Sequence, residues 1–309
     1  MNTNLKNSSL KHSGQFQWLQ RCPSVPEIFM LIIILSSHFI VAAAQSDNPQ
    51  TVVILSLDGF RWDYPAKTNT PNLDLIAHDG VKAVSLMPSF PSKTFPNHYT
   101  IATGLVPDHH GLVNNIFMDK AMGKSFAIND KQARFNPDFY GGEPIWITAQ
   151  NQGVRTASFF WVGTDVAIQG KHPDYWKMYD GNIPFIQRID TILKWLTLPE
   201  PLRPRLIMAY YHEPDGIGHE FGPDDPKTLR LVQELDSLTG ILYKRIRKLP
   251  GGNKINFMVV SDHGMGAINS EKNNALRDYI PEHWPVRIEG GNPNFNVYAE
   301  GKWADSAYQ

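Results

Sequence analysis

Short apolar runs alternate with segments of helical spacing along most of the chain. Residues 51–57 read Thr-Val-Val-Ile-Leu-Ser-Leu, a β-branched run without polar alternation, as in strands buried on both faces. Residues 205–211, Arg-Leu-Ile-Met-Ala-Tyr-Tyr, predict a second buried strand, and 154–160 and 255–260 predict two more. Residues 81–86 and 295–299 are further strand candidates. Between these runs the period changes. Leu229, Val232, Leu235, Leu238, Leu242 and Ile246 recur every three or four residues, which predicts a long amphipathic helix over 226–249. Residues 183–196 are also amphipathic, and 72–78, 99–103 and 143–152 read as shorter helices. Thr70 and Pro71 supply an N-cap and a first-turn proline, and Gly80 and Gly153 supply stops. Alternation at this spacing predicts an α/β fold with a mostly parallel central sheet flanked by helices.

The first 44 residues are of another kind. Lys6, Lys11 and Arg21 precede the apolar run 28–35, and the segment leaves through Ala42 and Ala44. Positive lead, short apolar core and small-residue exit predict a signal peptide cleaved before Gln45. An uncleaved anchor is the alternative, and a membrane partner is expected only in that case. The apolar stretch 28–44 is marginal for a span, which needs about 20 residues. The single cysteine, Cys22, lies in this leader. The remainder therefore carries neither a disulfide framework nor a cysteine-based zinc site. An exported domain without cysteine points to a secreted protein, in a bacterial periplasm rather than a disulfide-rich exterior.

The 309 residues are 42% hydrophobic and 19% charged, enough for a sizeable core and unlike a disordered chain. Lys and Arg number 29 against 30 Asp and Glu, a net charge of −1. That balance gives no support for nucleic-acid duplex binding.

Candidate chemistry gathers where the predicted strands end, which is where open parallel sheets bind ligands. Asp58-Gly59 follows the first strand. His212-Glu213-Pro214-Asp215 and His219 follow 205–211, and Ser261-Asp262-His263-Gly264 follows 255–260. Carboxylate and imidazole together suit zinc or a similar divalent ion. Singly these signals are weak: Asp-Gly after a strand is usually a turn. Asp215 and His219 are four apart, but Gly216 and Gly218 argue for a shaped loop rather than a helix. Thr94 lies near the start of the helix that runs through 99–103, where backbone amides bind anions. By itself it reads as an N-cap. As a nucleophile it would need a metal ion to draw off its proton.

These motifs occur in one order: Leu57-Asp58-Gly59, Lys93-Thr94-Phe95-Pro96-Asn97-His98, His110-Gly111 through Asn115, Glu213-Pro214-Asp215 through His219, and Ser261-Asp262-His263-Gly264-Met265. The chain resembles the nucleotide pyrophosphatase/phosphodiesterase family of the alkaline phosphatase superfamily. Residues 160–165 and 178–185 resemble its substrate-side segments. The resemblance implies an alkaline phosphatase-like fold and two zinc ions. One ion would be held by Asp58, Thr94, Asp262 and His263, the other by Asp215, His219 and a further His. It implies Thr94 as nucleophile through a phosphothreonine intermediate, and Asn115 as a donor to a phosphoryl oxygen. Phe95, Tyr179 and Tyr210 match positions that flank a nucleobase, although either tyrosine could be ordinary packing. The implied substrate is a small phosphodiester or nucleotide. His98, His109, His110 and His212 read as loop or supporting residues, and His212 stands where the family usually shows Glu.

The family's last zinc ligand is a His in a Gly-His motif downstream of Asp262-His263-Gly264. Only His283 follows, and its surroundings do not match. The expectation is a domain spanning 45–309 that is truncated at its C-terminal end. The alternatives are a phosphomonoesterase or phosphonate hydrolase on the same scaffold, or an inactive fragment lacking one ligand.

Overall fold

The computed structural model describes residues 50–308 apart from 270 and 273. The expected leader lies outside the described residues. Among the described residues there are eight strands: β1 (Thr51–Leu57), β2 (Ile116–Asp119), β3 (Lys124–Ala127), β4 (Thr156–Phe159), β5 (Leu206–Tyr211), β6 (Ile255–Val260), β7 (Arg287–Gly291) and β8 (Asn294–Tyr298). Four of them form a parallel sheet in the order β4-β5-β1-β6. β2 and β3 form one antiparallel hairpin, and β7 and β8 another. The run at 295–299 is therefore β8 of a hairpin, outside the central sheet.

The apolar character of the central strands follows from their two covered faces. Val53, Leu55, Leu57, Ile207, Ala209 and Tyr211 pack with Ile189, Ile192, Leu235, Leu242 and Ile246. Those partners come from the helices Phe185–Leu196 and Pro226–Arg247. The alternate residues Val52, Ile54, Leu206 and Met208 pack on the other side with Tyr99, Leu112, Trp146 and Trp161. Each large side chain so buried contributes roughly 1.5–3 kcal/mol.

The long helix begins as its sequence suggests. Asp225 is the N-cap, its side chain accepting the Lys227 N–H, and Pro226 follows. Thr70 does not cap the helix Pro71–Asp79 with its side chain. The long helix does so instead: buried Asp236 accepts the Leu73 N–H at 2.7 Å and the Asn72 N–H and Nδ2 at 3.2 and 2.7 Å. Gly240 permits this approach, because a Cβ there would lie 2.2 Å from the Asn72 side chain.

Residues 81–86 are not a strand. Val81, Val84 and Leu86 are exposed. Strand propensity without an adjoining ladder makes no sheet, and β1 has both its edges taken by β5 and β6.

His110 is a structural residue beneath the Thr94–Thr103 helix. Its Nδ1 accepts the Leu112 N–H at 3.2 Å, so the ring proton sits on Nε2, 3.0 Å from Thr100 Oγ1. Burial holds its pKa down at about 4, against about 6.5 for an unfolded chain. Between those values the unfolded chain carries the extra proton, so stability falls as pH drops through that window. Urea unfolding of wild type and His110→Gln should show the wild type losing about 2–3 kcal/mol relative to the variant between pH 7.5 and 4.5; parallel pH profiles would exclude this role.

Candidate active site

β1 runs between β5 and β6, so the residues that follow these three parallel strands meet at one edge. Asp58 extends β1, its N–H donating to Tyr211 O at 2.9 Å. The next residue, Gly59, has φ +67°, and a Cβ on it would lie 3.0 Å from Asp215. The Asp-Gly turn thus brings the end of β1 against the segment after β5, which a side chain would prevent. The Gly59 N–H donates to Asp262 Oδ1 at 3.1 Å and ties in the segment after β6.

Three carboxylates converge there. Asp58 and Asp262 are each 2% exposed. Asp58 Oδ1, Asp215 Oδ1 and Asp262 Oδ2 are buried without a hydrogen-bond partner. His263 Nε2 lies 3.2 Å from Asp262 Oδ2 and 3.5 Å from Asp58 Oδ1. Asp58, Asp215 and His263 offer ligand atoms all within 4.8 Å of one another. Burial, then the charges of Asp262 and Asp215, push the Asp58 carboxyl well above the usual range. Burial also raises Asp215. Burial would raise Asp262 as well, but His98, His263 and the Gly59 N–H outweigh it and hold that carboxyl at about 2. Orphaned oxygens of one charge with an imidazole beside them fit a divalent cation.

Asp215 and His219 stand on a helix, Asp215–Phe221, and not on a loop. Two contacts explain why the glycines do not break it. Glu213 Oε2 accepts the Ile217 N–H at 3.0 Å, and a Cβ on Gly218 would lie 2.6 Å from Met265 Sδ. The i, i+4 spacing therefore places both side chains on one face. His219 Nε2 is 3.4 Å from Asp215 Oδ1, with its side chain 71% exposed. His283 is exposed and does not enter the cluster.

Thr94 is the first residue of the helix Thr94–Thr103, and Lys93 is the N-cap without a side-chain bond. Thr94 is thus freed from the capping role that it has in isolation. The helix start offers few amides to an anion. The Phe95 N–H donates to Asn115 Oδ1 at 3.1 Å, Pro96 has none, and the Asn97 N–H returns to Lys93 O. Asn115 is thereby seated beside the helix start with its oxygen engaged and its amide nitrogen as the donor end. Asn97 fixes the approach to the helix, accepting from Ser89 N and donating to Pro91 O and Lys93 O.

A cleft of about 300 Å³ opens over these groups. Asp58, Thr94, Phe95, Tyr179, Tyr210 and Asp215 line it, so most of the residues singled out in the sequence share one cavity. Tyr210 also donates its hydroxyl to Asp58 Oδ2 at 2.5 Å, which makes it a part of the acidic cluster as well as a wall. Tyr179 packs edge-on to Phe160 and stays 37% exposed. Buried Arg188 secures this wall by donating to Gly181 O, Ile183 O and Tyr210 O, with its guanidinium over the Phe160 and Phe185 rings. The cleft also holds Arg134, Asp165, Lys177 and His212. Asp165 belongs to the 160–165 segment noted above. Arg134 and Lys177 carry no sequence signal, since isolated basic residues usually face solvent.

The family model for type I phosphodiesterase / nucleotide pyrophosphatase matches residues 52–308. The chain is 39% identical over 244 residues to ectonucleotide pyrophosphatase/phosphodiesterase family member 1 of Homo sapiens, covering 78% of this chain and 26% of that protein. It is 41% identical over 223 residues to an uncharacterized pyrophosphatase/phosphodiesterase of Schizosaccharomyces pombe, covering 72% of this chain and 46% of that protein. The chain thus spans a quarter to a half of the length of these curated relatives. Murine ectonucleotide pyrophosphatase / phosphodiesterase 5, solved as an inactive threonine-to-alanine variant in complex with AMP, superposes with a TM-score of 0.78 at 33% identity. That match covers 83% of this chain and 68% of the murine one. With the family model matched over residues 52–308, the chain belongs to the type I phosphodiesterase / nucleotide pyrophosphatase family.

Proposed function

We propose that this protein hydrolyses phosphodiester or pyrophosphate bonds of nucleotides or similar small diesters, with Thr94 as nucleophile and zinc as cofactor. The observation that carries this reading is the set of three orphaned carboxylate oxygens lining or adjoining a cleft that also contains Thr94 and an aromatic wall. Asp58, Thr94, Asp262 and His263 would hold one ion, and Asp215 and His219 would contribute to a second. A bound divalent ion supplies a Lewis acid that neutralises phosphoryl charge. The Thr94 hydroxyl oxygen bonds to phosphorus as the ester bond to the leaving group breaks, and the hydroxyl proton passes to solvent. Water then attacks the phosphothreonine, returning the Thr94 hydroxyl and releasing the phosphorylated product. Asn115, oriented by the Phe95 N–H, donates its amide to a phosphoryl oxygen. Phe95 and Tyr179 hold a base or other flat group by its faces. AMP in the murine relative supports a nucleotide occupant.

Residues 45–309 would carry this activity and 1–44 would serve export. The relatives' ecto- designation supports an extracytoplasmic location. That designation belongs to a protein of Homo sapiens and does not bear on a bacterial periplasm. No helix among the described residues is long and apolar enough to cross a membrane.

Thr94→Ala should lower kcat on bis-p-nitrophenyl phosphate by at least about 10³-fold while leaving the melting temperature near wild type. Unchanged turnover would remove Thr94 from the mechanism. Dialysis against a chelator should abolish hydrolysis and added zinc should restore it, whereas chelator-resistant activity, or faster cleavage of p-nitrophenyl phosphate than of the diester, would overturn the reading. Tyr179→Ala should raise KM for a nucleotide substrate by roughly 5- to 50-fold with little change in kcat, as expected for loss of one stacking face; an unaltered KM would assign Tyr179 to packing alone.

A further inference from the structure

A second acidic grouping lies beside the first: Asp58, His98 and Asp262, all buried, offer ligand atoms within 4.8 Å of one another. By composition it could be a metal triad. The bonding of His98 argues otherwise. The ring is 0% exposed, and both its nitrogens are engaged. Nδ1 donates to Thr94 O at 2.9 Å, and Nε2 lies 2.9 Å from Ser56 Oγ. Asp262 Oδ2 is 3.3 Å from the same Nδ1 but makes no hydrogen bond, so its lone pairs stay available. The ring is braced edge-on by Trp161 and Tyr210, at 5.2 and 5.1 Å between centroids. Its own backbone carbonyl accepts from Trp161 Nε1 at 2.9 Å. Turning His98 toward an ion would break a buried hydrogen bond and displace two aromatic contacts.

We infer that His98 is a positioning residue, not a ligand: one ring joins the nucleophile's backbone to β1 and presents its N–H edge to the metal-binding carboxylate of Asp262. This rests on the function proposed above. The chain of contacts is short. Ser56 is two residues before Asp58 on β1, on the face that Val52 and Ile54 share by strand alternation. Thr94 is one helical turn before His98. Asp262 follows β6. The relative placement of Thr94, Asp58 and Asp262 therefore passes through this imidazole. Ligating carboxylates depend on such outer partners for orientation, and losing a partner typically costs about 10- to 100-fold in metal affinity or activity.

Competition with a chromogenic chelator, using metal-stripped full chains, reads zinc affinity directly. His98→Leu should bind zinc about 10- to 100-fold more weakly than wild type and lose a comparable factor in kcat, with KM for a nucleotide nearly unchanged. His98→Asn keeps an N–H donor near the place of Nδ1 and should stay within about 5-fold of wild type in both. Wild-type zinc affinity in His98→Leu would overturn the inference. So would a loss of one zinc per chain in His98→Asn as complete as in His98→Leu, because that result makes His98 a ligand. Should the leucine variant fail to fold, Ser56→Ala carries the test. It releases Nε2 and should weaken zinc by about 3- to 10-fold, and an unchanged affinity there counts against the inference. A wild-type chain that neither binds zinc nor cleaves a diester refutes the proposed function itself, a result separable from any difference among the variants.

Discussion

Asp58, Asp215 and Asp262 gather orphaned oxygens in one site, with Asp58 and Asp262 buried and Asp215 partly so. Carboxylates so placed repel, and burial penalises each of them separately. The protein answers part of that repulsion with its own groups: the Tyr210 hydroxyl on Asp58, the Gly59 N–H on Asp262, and the imidazoles of His98 and His263 close by. The answer is uneven. Asp262 is held low, whereas Asp58 and Asp215 are pushed up. A divalent cation would offset the remainder, and the rest of the architecture serves to hold these oxygens in place against their mutual repulsion.

That holding comes from the sheet. β1 is bonded on both edges, to β5 and to β6 in parallel register, and helices cover both faces. A strand so enclosed has little freedom to retreat from its neighbours' carboxylates. The residues just beyond the sheet then form a second framework. Arg61 donates to Met265 O, Asn97 ties down the approach to Thr94, and Arg188 bonds the 181–183 segment to the end of β5. Arg61 and Arg188 carry no signal in the sequence, yet each holds a segment that does.

Sequence and structure diverge in informative ways. Asp215 and His219 read as loop residues because two glycines lie between them and among their neighbours. The helix persists because Glu213 bonds its first turn and Met265 needs the room that Gly218 leaves. Residues 81–86 read as a strand from composition, but a strand is defined by its neighbour's ladder, which composition does not contain. Thr70 reads as an N-cap, while the acceptor that serves that helix end comes from Asp236 on the long helix, far along the chain. Where the signal is local the sequence reading holds, as in the long helix that starts at Pro226. Where the partner is distant it does not.

What the chain declares unaided is the alternation of buried strands with amphipathic helices, together with the acid, imidazole and threonine motifs at their ends. Both are local properties, set by period and by residue type. What only the tertiary structure decides is adjacency. The strand order β4-β5-β1-β6 makes neighbours of Asp58, Asp215 and Asp262. It buries His98 against Ser56 and Asp262, and it brings Arg134 and Lys177 from otherwise unremarked positions into the cleft. Hydrogen-bonded ladders and two-sided burial join residues that are remote in sequence. Those long-range contacts, rather than any motif alone, turn a series of weak signals into one site.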